Sequence, residues 1–227
     1  VLVNGQPAEL GMKVDENDEV KVFGKPIKAG TKKIYIMLNK PAGYVCTNRK
    51  FPGEKNIFEL IDTPRPGATG APLSRGELPR LFTVGRLDKD SRGLVLLTND
   101  GDLALRLEHP RHGKEKMYIA IIQNSKFKIQ NYNSVRPELT TKAKFKISDE
   151  IISKFIYGID IGDGEGIVKA KHIKYLGSNR FEIVLTTGKK RQIRRMFEAV
   201  GYEVEDLIRT EIGNLKLGNL LSGKWRY

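Results

Sequence analysis

Residues 84–101 read "VGRLDKDSRGLVLLTNDG", which sets Asp88 between Arg86 and Lys89 and adds Asp90 and Arg92 ahead of an apolar run. A carboxylate at the mouth of a buried strand can serve as a nucleophile, and loops held by rigid strands are common seats of catalysis. It can equally satisfy turn amides or pair with a neighbouring arginine such as Arg86. Spacing alone leaves Asp88 and Asp90 equal candidates, with the salt-bridged turn at least as good a reading of either. The chain carries no paired-carboxylate spacing, Ser-His-Asp order, phosphate-binding glycine loop or dinucleotide fingerprint that would indicate a better-known reaction.

A second chemically loaded stretch is "KKRQIRRMFEAVG", residues 189–201. Ile193, Met196, Phe197 and Val200 fall at helical spacing and read as a core stripe, with Gly201 ending the helix. The remaining positions hold Lys189, Lys190, Arg191, Arg194 and Arg195, a set suited to phosphate contact at a helix start. Tyr118 lies within the strand-like "KEKMYIA"; it is read first as a core tyrosine and second as a platform for an unstacked base. The glycines of "GDGEG", residues 162–166, read as a hairpin turn.

These groups sit in a strongly basic chain of 227 residues, with 40 Lys and Arg against 27 Asp and Glu and a net charge of +13. A surplus of that size makes a polyanion, RNA or DNA, the first partner to consider. The single cysteine, Cys46, excludes an internal disulfide or a cysteine-based zinc cluster. The only histidines are His109, His112 and His172, and "EHPRHG" reads as a turn, so no metal site is expected. No run approaches the roughly 18 apolar residues that a membrane span needs. The N-terminus lacks a signal-peptide pattern, which points to a cytoplasmic protein. It opens directly in a strand-like run, which is read as a truncated beginning.

The elements that must position these residues follow from pattern. Residues 1–23 read strand, turn, strand, and residues 24–33 have the composition of a linker. "IYIMLNKPAGYVCT" is a strand broken at Lys40-Pro41, and the Pro- and Gly-rich residues 64–80 form a long surface loop. "GLVLLT", a turn at "NDG", a helix around "DLALRLEH" and the buried strand "KMYIAII" come next. Ser148 caps a helix over "DEIISKFIYG". "GIVKAKHIKYLG" and "RFEIVLTT" are half-buried antiparallel strands, and residues 202–227 return to strands. The class is α+β on a large mixed or antiparallel sheet.

Three stretches together, "VGRLDKDSRGLVLLTNDGDLALRLEHP", "KMY" and "TTGKKRQIRRMFEAVGYEVEDLIRTEIGNLKLGNLLSGKWR", resemble the RsuA branch of the pseudouridine synthases, which includes RsuA, RluB, RluE and RluF. "YIMLNKPAGYVCT" is similar to the first catalytic strand of that branch, and the likeness covers nearly all of residues 33–227. The opening "VLVNGQPAELGMKVDENDEVKVFGKPI" resembles the second half of an S4-type RNA-binding domain. The resemblance implies two units, residues 1–29 and 30–227. It also implies an α+β pseudouridine synthase fold: a large mixed, mainly antiparallel sheet with flanking helices and a central basic cleft.

The activity implied is isomerisation of a uridine in ribosomal RNA, with a slight preference for the large subunit. No cofactor or protein partner is implied, and the chain is expected to be a monomer. The catalytic aspartate falls on Asp88, the base-stacking tyrosine on Tyr118 and the basic partner of the aspartate on Arg194. Arg86 would help to hold the RNA. Lys89, Lys189, Lys190, Arg191 and Arg195 complete the expected RNA contacts. Two other readings fit the residues: a non-catalytic RNA-binding protein on the same fold, and an aspartate-dependent glycosylase that releases the base.

Overall fold

The computed structural model describes residues 1–15, 17–26, 32–49, 51–61, 80–124 and 149–227. The first two segments form a small antiparallel sheet from β1 (Leu2–Val3), β2 (Gln6–Pro7), β3 (Val20–Val22) and β4 (Lys25–Pro26), in the order β2-β1-β3-β4. Asn4 and Gly5 make its first turn with φ of 50° and 81°, the left-handed pair that a tight hairpin requires. Phe23 and Gly24 repeat that geometry. Lys25 and Pro26, expected in the linker, therefore pair with β3 instead. A hairpin turn at "FG" is what that linker reading missed.

The larger sheet is built from β5 (Tyr35–Lys40), β8 (Phe82–Val84), β9 (Arg92–Thr98), β10 (Lys116–Asn124), β13 (His172–Gly177), β14 (Arg180–Leu185), β15 (Tyr202–Ile212), β16 (Leu215–Lys216) and β17 (Trp225–Arg226). Its main path runs β13-β14-β10-β15-β9-β5-β17, with β8 on β9 and β16 on β15. Among the described residues only the β15–β9 pairing of this sheet is parallel, so the sheet is mixed and mainly antiparallel as expected. Two small pairs lie beside it: β6 (Tyr44–Val45) with β7 (Lys55–Asn56), and β11 (Ile159–Asp160) with β12 (Ile167–Val168). "GDGEG" is indeed the turn between β11 and β12.

Strand alternation assigns the faces. Ile36, Leu38, Val95, Leu97, Ala120, Ile122, Phe181 and Ile183 point into one core. That core is covered by α2 (Asp149–Tyr157) and α3 (Gln192–Glu198), whose Phe155 and Phe197 rings meet at 4.8 Å. The alternate residues Leu94 and Leu96 serve two smaller clusters on the other face, one of them shared with Ala104 of α1 (Gly101–Glu108). Ser148 and residues 64–79 lie outside the described residues, so the expected cap and surface loop do too.

The parallel seam between β9 and β15 is unusually close. Gly93, at φ 106°, lies where a Cβ would stand 2.3 Å from the Arg209 carbonyl oxygen and 2.7 Å from its amide nitrogen. Only glycine permits that approach. It fixes the start of β9, and with it the turn that carries Asp88.

Candidate active site

Asp88 and Asp90 occupy one tight turn, closed by the Ser91 amide donating to the Asp88 carbonyl at 3.1 Å. The turn sends the two carboxylates to different neighbours. Arg191 Nη1 reaches both Asp90 oxygens at 3.1 Å, and Arg194 Nη2 stands 3.6 Å from Asp90 Oδ2. Asp88 instead lines a cleft of about 550 Å³, with no ion pair or side-chain hydrogen bond among the described residues. The expected Asp88–Arg194 pair is thus not formed; Arg194 pairs with Asp90. Burial works against the Asp90 charge, but Arg194, the local amide and Arg191 together hold its carboxyl below the usual range.

Arg194 is a largely buried tie. Its Nη1 donates to the Val204 carbonyl of β15 at 2.6 Å and its Nη2 to the Asp90 carbonyl at 3.4 Å. It joins α3, β15 and the Asp88 turn, and it does not line the cleft.

Tyr118 does line the cleft. It follows Lys116 on β10 and shares the core face with Ala120 and Ile122, at 9% exposure. The tyrosine is therefore both core-packed and turned to the cavity wall. Arg86, Lys89, Lys189, Lys190 and Arg191 complete a basic lining. Lys89 is paired with Glu54 at 2.8 Å and Lys189 with Glu165 at 3.1 Å. Arg86 and Lys190 have no carboxylate partner among the described residues.

One expectation about the basic segment is corrected. Helix α3 begins only at Gln192, so Lys189, Lys190 and Arg191 lie in the preceding turn, with Arg191 in the left-handed region at φ 52°. The Gln192 side chain shapes that turn, because its Oε1 accepts from Thr187 Oγ1 and from the Lys189 amide, both at 3.0 Å. Arg195, expected to touch RNA, makes three contacts within the protein. It donates to the Ile161 carbonyl at 2.9 Å and the Gly162 carbonyl at 2.6 Å, and pairs with Asp163 at 3.1 Å. It tethers α3 to the β11–β12 turn.

The sequence reading passed over Lys40. Its side chain is fully buried, and Nζ donates to the carbonyls of Pro41 at 3.1 Å, Lys89 at 3.1 Å and Ser91 at 2.5 Å. All three ammonium donors are used, and two of them hold the turn beside Asp88. Burial pushes the Lys40 pKa down, opposed by Cys46, Asp90 and Asp88. Arg209 was passed over too: it is 1% exposed, its Nε donates to the Leu94 carbonyl at 2.8 Å, and its Nη2 finds no partner among the described residues. The signal for both was alternation. Ile36, Leu38, Lys40 and then Leu207, Arg209 place a cation on the buried face of a strand.

The cleft thus combines a basic lining, a tyrosine wall and the Asp88 carboxylate, which has no ion pair among the described residues. The family model described as RNA pseudouridylate synthase matches residues 34–199. The chain belongs to that family, whose enzymes are isomerases.

The similarities extend beyond the matched segment. The chain is 37% identical to an uncharacterized RNA pseudouridine synthase of Aquifex aeolicus, over 100% of its own length and 79% of the relative. It is 33% identical to the dual-specificity RNA pseudouridine synthase RluF of Escherichia coli, over 100% of the chain and 66% of the relative. It is 28% identical to the ribosomal small subunit pseudouridine synthase A of Yersinia pestis, covering 100% of the chain and 83% of the relative. A solved pseudouridylate synthase superposes with a TM-score of 0.66 at 26% identity, over 99% of this chain and 83% of that one.

Proposed function

We propose that this cleft isomerises a specific uridine of ribosomal RNA to pseudouridine, with Asp88 as the nucleophile. The observation that carries the reading is the Asp88 carboxylate, unpaired among the described residues and sharing a cleft with Tyr118 and a basic lining. The reaction breaks the bond from the sugar to uracil N1, joins the sugar to uracil C5, releases the C5 proton and leaves N1 protonated. No atom is gained or lost, so a nucleophile suffices and no redox step is needed.

The target base must leave its stack, at a cost of a few kcal/mol. Stacking on Tyr118 returns about 1–3 kcal/mol of that. Arg86 and Lys190 hold phosphates, with Lys89, Lys189 and Arg191 reinforcing the field around them. Arg194 acts through Asp90 as a positioning residue. The likenesses to RluF and to the small-subunit enzyme support ribosomal RNA as substrate and the RsuA-type branch as the nearer kin. The slight sequence preference for the large subunit is retained. Residues 1–29 are assigned as the C-terminal half of an S4-type RNA-binding unit, and residues 30–227 as the catalytic unit acting in the cytoplasm.

The experiment incubates the protein with ribosomal RNA and maps pseudouridine by carbodiimide-stop primer extension. Asp88→Asn is expected to abolish the stop while RNA binding survives. A stop retained in Asp88→Asn and lost in Asp90→Asn would transfer the role to Asp90.

A further inference from the structure

Helix α1 ends against the turn that leads to Asp88, because the Glu108 carboxylate accepts a hydrogen bond from the Gly85 amide. Gly85 lies three residues before Asp88, a backbone path of at most about 10 Å. From there the chain passes through the 3-10 turn Pro110–His112 and enters β10 at Lys116. Along this run Arg106, Arg111 and Lys114 are all exposed, with His109 and His112 between them.

The turn is ordered from within. The Arg111 amide donates to His109 Nδ1 at 3.2 Å, the His112 amide to the His109 carbonyl at 3.0 Å, and Arg111 Nε to His112 Nε2 at 3.3 Å. The two imidazoles meet edge-on at 6.1 Å. The carboxylates nearest in sequence to Arg111 and Lys114 are already engaged, Glu108 by the Gly85 amide and Glu115 by Lys171. No ion pair neutralises Arg106, Arg111 or Lys114 among the described residues. Their charges converge: burial, then Arg111, His109, Lys114 and Arg106, hold the His112 imidazole below its ordinary range. Uncompensated like charges repel, and a polyanion relieves that repulsion.

We propose that the Arg106–Lys114 run is a second contact for the RNA backbone, binding phosphates that flank the target nucleotide on the Gly85 side of Asp88. Lys189 and Lys190 approach the cleft from the β14–α3 turn, so the strand is held from two separate elements. The inference rests on RNA being the substrate. Its particular content is that cations outside the cleft carry a share of the binding.

The test measures affinity for an in vitro transcript of ribosomal RNA between about 50 and 200 mM salt. Arg111→Gln with Lys114→Gln is expected to flatten the slope of log affinity against log salt by about 1.4, two phosphates' worth for single-stranded RNA. The control pair Lys174→Gln with Arg180→Gln removes the same charge from the exposed surface of β13 and β14 and should leave the slope unchanged. Arg111→Lys with Lys114→Arg keeps the charges and should keep the slope. A wild-type slope in the first pair, equal flattening in the control, or a lost slope in the charge-preserving pair would each overturn the proposal. Pseudouridine formation by the wild-type protein on the same transcript tests the underlying reading separately.

Discussion

Lys40→Met is the most informative single perturbation of the site's architecture. The substitution keeps a long unbranched side chain but removes an ammonium whose three donors meet the carbonyls of Pro41, Lys89 and Ser91. Hydrogen bonds to a charged group contribute about 1.5–3 kcal/mol each, so the gross loss is about 5–9 kcal/mol. Removing the buried charge returns several kcal/mol of desolvation. The net expectation is a destabilisation of about 2–4 kcal/mol, read as a lower urea midpoint with an unchanged slope. Because two of the three carbonyls belong to the turn beside Asp88, the turn loosens as well. A displacement near 1 Å in a reacting group lowers a rate by about 100-fold, so single-turnover pseudouridine formation should fall 10- to 100-fold, by about that order. Stability within about 0.5 kcal/mol of wild type, together with an unaltered rate, would refute the claim that Lys40 pins the turn.

Gly93→Ala should cost about 2–5 kcal/mol in urea unfolding, combining a left-handed backbone with overpacking against Arg209; a loss under about 0.5 kcal/mol would mean that the β9–β15 seam gives way easily. Asp100 accepts from the Tyr35 hydroxyl at 2.8 Å and from the Leu103 amide at 3.3 Å, and pairs with Lys33 at 3.2 Å. Tyr35 first, then the Leu103 amide and Lys33, hold its carboxyl below the usual range against the opposing effect of burial. Its stabilisation is present above the ordinary carboxylate range and is lost as pH falls through the lowered value. The Tm gap between wild type and Asp100→Asn should therefore shrink on acidification below about pH 4, and a constant gap would contradict this. Arg195→Gln should lower the Tm while leaving the salt slope of RNA binding intact, whereas Lys190→Gln should flatten that slope by about 0.7; the reverse pattern would restore Arg195 as an RNA contact.

The regular parts of the fold were legible because local pattern and tertiary burial agree there. The apolar runs "IYIMLN", "GLVLLT" and "KMYIAII" read as strands, and their inward residues form the observed core. The "NDG" turn ahead of "DLALRLEH" marked α1, which the structure shows capped by Asp100. Residues whose partners are distant in sequence were less legible. Periodicity assigned Arg194 and Arg195 to the polar side of a helix, but it contains nothing about Val204 or Gly162, whose carbonyls they meet. The pairing of Arg194 with Asp90 rather than Asp88 depends on a turn that separates two carboxylates two residues apart. Family resemblance identified Asp88 as the residue to examine, whereas geometry supplied the reason that Arg194 need not touch it. Lys40 and Arg209 were visible as cations at inward positions, and a stricter use of alternation would have marked them.

The central claim is that Asp88 performs the isomerisation, and the most direct measurement follows the hydrogen that the reaction must expel. Ribosomal RNA labelled with tritium at uracil C5 is incubated with wild type and with Asp88→Asn, while RNA retention is measured by filter binding. Wild type should release one tritium for each pseudouridine formed, with no free uracil. Asp88→Asn should release none while still retaining the RNA. Release by Asp88→Asn at the wild-type rate, or release of free uracil by the wild-type protein, would contradict the account.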